Sequence, residues 1–283
     1  MGKMEKPLTE HIREDKRPLT LKEYEKVGGY QSLRKMVKMS PQEVQTLVKD
    51  SNLRGRGGAG FSTGLKWSFV PLNAPKPKYL IANADEMEPG TFKDRILLES
   101  TPHQMIEGMI IPAYAIQADV SYVFLRWAYK TAATTITKAI QEAYEAGYLG
   151  KNILGSGFDL EMHLHTGVGR YMCGEETALL NSLEGKRATP RAKPPFPQIS
   201  GLFGKPTIVN NVETLCCLPH ILNNGSDWFK DLSLTGDAGT KIYGVSGKVK
   251  KPGAWELPMA VTLRELIEEH AGGMMDGLTF RGA

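Results

Sequence analysis

Between Leu53 and Trp67 the chain sets Gly55, Gly57, Gly58, Gly60 and Gly64 among Arg54, Arg56 and Lys66. A backbone with so few Cβ atoms can adopt positive φ and lie directly against a flat or phosphorylated ligand. The cations favour an anionic ligand, and Phe61, Trp67 and Phe69 offer stacking faces for a heteroaromatic ring. A plain connector is richer in Ser and Pro, so the segment reads as a nucleotide or flavin cradle. Gly55-Arg56-Gly57-Gly58-Ala59-Gly60 matches G-x-G-x-x-G letter by letter, but the dinucleotide fingerprint needs a strand just before it. Here Ser40-Pro41-Gln42-Glu43 is a capping box with proline at the first helical position, followed by the apolar stripe Val44, Leu47 and Val48. A helix therefore precedes the loop, which excludes the ordinary dinucleotide turn and leaves a less usual binding loop.

Two further segments carry polar groups where a strand should end. Asn83-Ala84-Asp85-Glu86-Met87-Glu88 follows the apolar run Tyr79-Leu80-Ile81-Ala82, and in an open α/β sheet ligands bind at the carboxyl ends of strands. The acids are either a solvated turn or acceptors for ribose hydroxyls that repel a 2′-phosphate, favouring NAD over NADP. Gly167 to Thr177 repeats that position after a later strand, with helix amides from about Gly174 onward expected to hold oxyanions. Glu175 and Glu176 also suit the helix dipole there. Asn210, Asn211 and Thr214 open another helix as caps, phosphate ligands or both.

His103, His163 and His165 lack matching ligand spacing, so no metal site is expected. The three cysteines, Cys173, Cys216 and Cys217, read as buried thiols, and without a C-x-x-C the chain cannot itself supply an ordinary iron–sulfur cluster. No Ser-His-Asp order stands out.

The elements that must position these groups alternate. Short helices fill 19–52, with a capping box at Thr20-Leu21-Lys22-Glu23. After the glycine loop come a strand at 79–82, a helix opened by Thr101-Pro102 that Pro112 should kink or divide, and a strand at 120–125. A helix follows at 131–146, then a period-two strand carrying Phe158, Leu160, Met162 and Leu164, then a helix at 174–183. This order predicts an α/β fold with a Rossmann-like parallel sheet, right-handed crossovers and flanking helices. A proline-rich basic loop (186–206) and a helix near 210–222 complete it. From Lys241 a hairpin turning at Lys251-Pro252-Gly253, then a helix capped by Thr262, open a small α+β domain that looks half finished, so truncation is expected. The division is thus 1–77, a helical segment with the glycine loop; 78–240, the α/β cofactor domain; and 241–283, an incomplete α+β domain.

With 283 residues and a net charge of +4, the chain has ordinary globular proportions and too weak a positive balance to argue for nucleic acid. No apolar run is long enough to span a bilayer, and the charged first residues lack a signal-peptide core, so a cytoplasmic protein is expected.

Together, the stretches Gly55 to Trp67, Asn83 to Arg95, Gly169 to Gly185, Lys193 to Pro197 and Val209 to Thr214 resemble the flavoprotein (F) component of bacterial respiratory complex I, the NADH-binding (51 kDa-type) subunit of NADH:quinone oxidoreductase. The resemblance covers nearly the whole chain in order; Val168 stands where that family more often has Ala. It implies non-covalent FMN, with NADH stacked over it and hydride transfer from nicotinamide to flavin. It implies that Gly55, Arg56, Gly57, Gly58 and Lys66 hold the flavin. Asn83 and Asp85 would face its ring and ribityl chain, Asn210, Asn211 and Thr214 its phosphate end, and Glu86, Tyr171, Gly174 and Glu175 would be further cofactor-binding residues. Phe61, Phe69 and Phe196 would sandwich the adenine, Lys193 would offset the dinucleotide's charge, and Glu88 and Glu176 would act as catalytic residues beside ribose and nicotinamide. The resemblance further implies that 241–283 is the start of a β-grasp domain, and the family's [4Fe-4S] cluster uses cysteines absent from this chain. The resemblance also implies peripheral-arm partners, chiefly the thioredoxin-like [2Fe-2S] component and the multi-cluster iron–sulfur component of complex I, on the cytoplasmic side of the inner membrane, without membrane insertion or nucleic acid. The diaphorase subunits of soluble NAD-linked hydrogenases and formate dehydrogenases share these motifs and are the alternative. A third reading keeps the fold but not turnover, as a binding or assembly protein.

Overall fold

The computed structural model describes residues 5–283. Three short helices, α1 (Leu21–Lys26), α2 (Gln31–Met36) and α3 (Pro41–Asp50), lead to the glycine loop and α4 (Thr63–Ser68). Thr20 and Ser40 each close a reciprocal capping box, with Glu23 and Glu43. Two orphan amides are thereby satisfied at each helix start.

The α/β part runs β1 (Tyr79–Ala84), α5 (Lys93–Ser100), α6 (Pro102–Ile116), β2 (Val120–Leu125), α7 (Lys130–Glu145), β3 (Glu161–Thr166), α8 (Glu176–Leu183), α9 (Pro197–Ser200), β4 (Thr207–Asn211) and α10 (Val212–Asn224). Its four strands are all parallel, in the order β3-β2-β1-β4. Successive crossovers lead from β1 outward to β2 and β3, and the chain then returns to add β4 on the other side of β1. The carboxyl ends of β1 and β4 therefore flank the switch point of the sheet, where open α/β folds leave a crevice.

Alternation along β1 sends Leu80, Ala82 and Ala84 into the larger core, shared with α6 and α10. Tyr79 and Ile81 go to the opposite face, under Leu179 and Leu180 of α8. α6 is continuous through Pro112 rather than divided there. It lies almost wholly buried, so packing on all sides outweighs the backbone bond that proline removes.

The strand β4 is absent from the sequence-based element order, which left Thr207-Ile208-Val209 between a proline-rich loop and a helix. Five residues joined directly to a helix give no period of their own; pairing with β1 makes them a strand. The short helices α4 and α5 were likewise not foreseen. The helix expected from Gly174 begins at Glu176, after a single 3₁₀ turn over Tyr171–Gly174.

After α11 (Ser226–Asp231), β5 (Thr240–Val245) and β6 (Gly253–Pro258) form an antiparallel hairpin. α12 (Leu263–Glu265), capped by Thr262 as expected, runs on as a wider turn to His270. Buried Glu256 of β6 ties this hairpin back to the body, accepting from Leu8 N (3.1 Å), Thr9 N (2.8 Å) and Thr240 Oγ1 (2.6 Å). Among the described residues no helix is long and apolar enough to cross a membrane.

Candidate functional site

A two-lobed cleft opens at the switch point. The larger lobe, ≈ 960 Å³, lies between the glycine loop and α9; the smaller, ≈ 520 Å³, lies over the acidic turn after β1. The lobes share Gly57, Asn83, Glu175 and Asn211. Asn83 and Asn211 are register partners on β1 and β4, so the wall common to both lobes is the end of the sheet itself. Every residue that the resemblance assigns to the site lines one lobe or the other.

Most of their polar groups are already held by the protein. Asn210 Oδ1 accepts from Trp67 Nε1 at 2.9 Å, which fixes Asn210. Trp67 itself is fully buried among the helices, so it offers no face to a ligand, contrary to the sequence expectation. Asn211 caps α10 through Oδ1 to Glu213 N (3.0 Å), while its Nδ2 donates to Asp94 Oδ2 at 2.7 Å. The Thr214 hydroxyl accepts from Arg56 N at 2.8 Å and so pins the glycine loop. The Arg56 side chain passes behind that loop, and its Nη2 donates to the carbonyls of Ala238 (2.7 Å) and Thr240 (3.1 Å). Its terminal nitrogen is thus committed to the approach to β5. Gly58 sits at φ +116°, with open space where a Cβ would stand, and exposes its backbone to the smaller lobe.

The expected oxyanion site at the start of α8 is corrected by the geometry. Glu175 is the N-cap, and its Oε2 accepts from both Thr177 N and Ala178 N at 2.8 Å. A carboxylate of the chain already fills the place an external anion would take. Glu86 plays a comparable part at α5, accepting from Asp94 N (3.0 Å), Arg95 N (3.2 Å) and Tyr129 Oη (2.9 Å).

Glu176 lies between two ammonium groups, Lys66 Nζ at 2.8 Å and Lys193 Nζ at 2.9 Å. Burial pushes its carboxyl pKa up, but Lys66 and Lys193 outweigh burial and the net shift is downward. For Lys193 burial acts downward, and Glu176 reverses it to a net rise. At the mouth of the smaller lobe, Tyr171 Oη donates to Glu88 Oε2 at 2.6 Å.

Asp85 differs from all of these. It is 4% exposed and lines the smaller lobe, and neither carboxylate oxygen has a partner. Burial lifts its pKa to about 6, against a smaller lowering by Arg126. An unpartnered buried carboxylate is costly; this one calls for hydroxyl or N–H donors from a bound molecule. In the larger lobe Phe61, Phe69 and Phe196 are each about half exposed (50, 48 and 53%). The Phe61 and Phe69 rings lie 6.3 Å apart and tilted by 46°. Three exposed aromatic faces beside Ile199 and Val209, in a largely apolar lobe, suit a heteroaromatic ring.

Sequence reasoning gave no role to Lys93, Asp94 or Lys241. Lys93 Nζ lies 2.7 Å from Asp94 Oδ1 and 2.9 Å from Glu213 Oε2. Burial favours its neutral form, yet these two carboxylates hold its pKa above the ordinary value. Lys93 and Asp94 stand at the start of α5, a helix not foreseen, and Lys241 reaches the lobe only through the docking of the hairpin. Of the histidines, His163 is exposed and His165 half-buried. His103 is buried between Tyr30 Oη and Glu142 Oε2, each 2.9 Å away. The three cysteines are buried thiols.

An open parallel sheet, a switch-point cleft, a glycine loop and an aromatic-walled lobe define an α/β protein built to bind a nucleotide cofactor. The family model of the Nuo51 FMN-binding domain matches residues 48–220, and that of the SLBB domain matches 242–281. The chain is 58% identical to the F subunit of NADH-quinone oxidoreductase from Salmonella typhimurium, over 97% of its own length and 62% of the relative's. It is 55% identical to the corresponding F subunit from Aquifex aeolicus, over 90% of its length and 60% of the relative's. An NAD+-reducing [NiFe]-hydrogenase in the H2-reduced state aligns with a TM-score of 0.81 at 38% identity, over 92% of this chain and 44% of that one. The chain belongs to the Nuo51 FMN-binding domain family, and it spans about 62% of the length of the Salmonella relative.

Proposed function

We propose that this chain is the FMN-binding, NADH-oxidising portion of the flavoprotein subunit of complex I. The observation that carries the reading is Asp85, a buried carboxylate with two unpartnered oxygens facing the cleft. A ribityl chain or the pyrimidine edge of a flavin brings the donors it lacks. When bound, FMN supplies a ring that accepts a hydride from NADH and releases electrons singly.

The chain's own residues hold and orient. The exposed backbone at Gly55, Gly57 and Gly58 lets the flavin approach, with Lys66 beside it. Asn83, Asp85, Glu86, Tyr171, Gly174 and Glu175 bound the ring and ribityl chain, and Asn210, Asn211 and Thr214 the phosphate end. Arg56 holds the cleft wall in place, its N donating to the Thr214 hydroxyl and its Nη2 to two carbonyls. Phe61, Phe69 and Phe196 receive the adenine. Glu88 and Glu176 meet the NADH ribose and nicotinamide, and Lys193 offsets dinucleotide charge while holding Glu176 ionised. Residues 78–240 form the cofactor domain, preceded by the segment 1–77 and followed by 241–283 as the start of a β-grasp unit. Electrons pass to iron–sulfur clusters and on to quinone. The partners are the thioredoxin-like [2Fe-2S] component and the multi-cluster component, on the cytoplasmic face of the inner membrane.

The hydrogenase diaphorase is the second reading, favoured by the shared fold at 38% identity. The 58% identity to an NADH-quinone oxidoreductase relative favours complex I.

The test is a visible spectrum of the purified chain with FMN, followed by NADH under anaerobic conditions. Flavin absorbance should bleach with NADH and far less with NADPH. A folded chain that binds no FMN overturns the reading.

A further inference from the structure

We propose that the side-chain amide of Gln198, on α9, reads the edge of the adenine ring in the larger lobe. The proposal rests on the NADH reading above and assigns one residue within it.

The polar side chains along that lobe are nearly all committed to the protein. Lys66 and Lys193 pair with Glu176, and Glu175 caps α8. Asn210 accepts from Trp67, Asn211 and Asn83 donate to Asp94 and to the Gly174 carbonyl, and the Thr214 hydroxyl accepts from Arg56 N. Thr63 and Gln198 are left. Among the described residues, the Thr63 hydroxyl and Gln198 Oε1 are buried with no hydrogen-bond partner. Thr63 is 1% exposed, shut into the start of α4, whereas Gln198 is 7% exposed. An amide carbonyl enclosed without a donor costs free energy that a ligand N–H would recover.

The position of Gln198 selects the ligand. Phe196 is the N-cap of α9, and Gln198 lies two residues on, between buried Pro197 and exposed Ile199. Phe61 and Phe69 come from the glycine-loop side, so the lobe has aromatic faces on both walls. A flat ring stacked there leaves its edge for hydrogen bonding. The Gln198 amide has an acceptor and a donor in one plane, and its last torsion turns freely. Oε1 can therefore accept from the adenine 6-amino group while Nε2 donates to the adjoining ring nitrogen, the pairing by which glutamine reads adenine in nucleic acids.

The test measures binding to the FMN-loaded 283-residue chain by calorimetry. ADP is compared with the 5′-diphosphate of purine riboside, which lacks the 6-amino group. The wild-type chain should bind ADP about tenfold more tightly, the size of one hydrogen bond. Gln198→Met, similar in length but without the amide, should abolish that preference by weakening ADP alone, and FMN affinity should hold. Equal loss of both ligands in the variant would mean that Gln198 only shapes the lobe, and a preference that survives in it would mean that another group reads the base. Equal wild-type affinities, a result that needs no variant, would mean that the 6-amino group is not read at all. Each of these overturns the assignment. A wild-type chain that holds FMN yet binds neither ADP nor NADH removes the NADH reading itself, and this proposal with it.

Discussion

Asn83 and Asn211 end β1 and β4 as register partners, and both line the two lobes of the cleft. Each is also fastened away from the ligand space. Asn83 donates to the Gly174 carbonyl at 2.9 Å, and Asn211 donates to Asp94 and caps α10. The wall between the lobes is thus rigid before any ligand arrives. Preorganised groups of this kind place a cofactor without an ordering cost at the moment of binding.

Asp85 should weaken the ligand-free protein as pH rises. Its pKa is about 6 in the folded chain against an ordinary 3.8, so between those values the folded state binds more protons than the unfolded state. Stability therefore falls through that window and levels off above it. Asp85→Asn should stabilise the ligand-free chain near neutral pH by on the order of 1 kcal/mol, and hardly at about pH 4. FMN affinity should fall in the same variant. Thermal melts at both pH values, with and without FMN, check this; a neutral-pH melting point unchanged by the substitution would refute it.

Glu176 should behave in the opposite sense. Its pKa lies below 4.5 in the folded state because Lys66 and Lys193 outweigh burial, so its contribution is present above that value and lost as pH falls below it. Glu176→Gln should cost about 1 kcal/mol at neutral pH, since the half-buried Lys66 and the exposed Lys193 lose their shared carboxylate. Urea unfolding at neutral and acid pH measures this, with the wild-type advantage shrinking in acid.

The aromatic lobe makes a prediction about selectivity. Phe61 and Phe196 are half exposed and outside the core, so their removal should leave stability within about 0.5 kcal/mol. Phe61→Ala or Phe196→Ala should raise the Kd for NADH about tenfold while FMN binding holds. Parallel titrations of the two ligands decide it; a matching loss of FMN would mean that these rings do not belong to the dinucleotide.

Gly108 bears on the fold rather than the site. A Cβ built there would stand 2.1 Å from the Leu215 carbonyl oxygen, because α6 and α10 cross with their backbones in close approach. Gly108→Ala should cost about 3 kcal/mol, the upper end for overpacking. A urea midpoint near the wild-type value would show that the two helices can separate at little cost.

Features that are local in the chain could be read from the residues alone. The capping boxes at Thr20, Ser40 and Thr262 stand as read, because each is satisfied within four residues. The three strands with clear apolar runs, the helix before the glycine loop and the burial of the cysteines were legible for the same reason. The cleft residues were legible largely through resemblance, since residue types alone left the acids after β1 open between solvated turn and ligand site. Tertiary structure decided what depends on partners distant in the chain. Thr207 to Asn211 became a strand only by pairing with β1, and this pairing created the switch point. Trp67 went into the core and the Arg56 guanidinium to the hairpin, although both stand in the glycine segment beside residues that face the cleft. Glu86 and Glu175 cap helices while Asp85, adjacent to Glu86, keeps its oxygens unpartnered. Neighbours in sequence share composition, but the direction of each side chain, and hence what it can bind, is set by packing against elements distant in the chain.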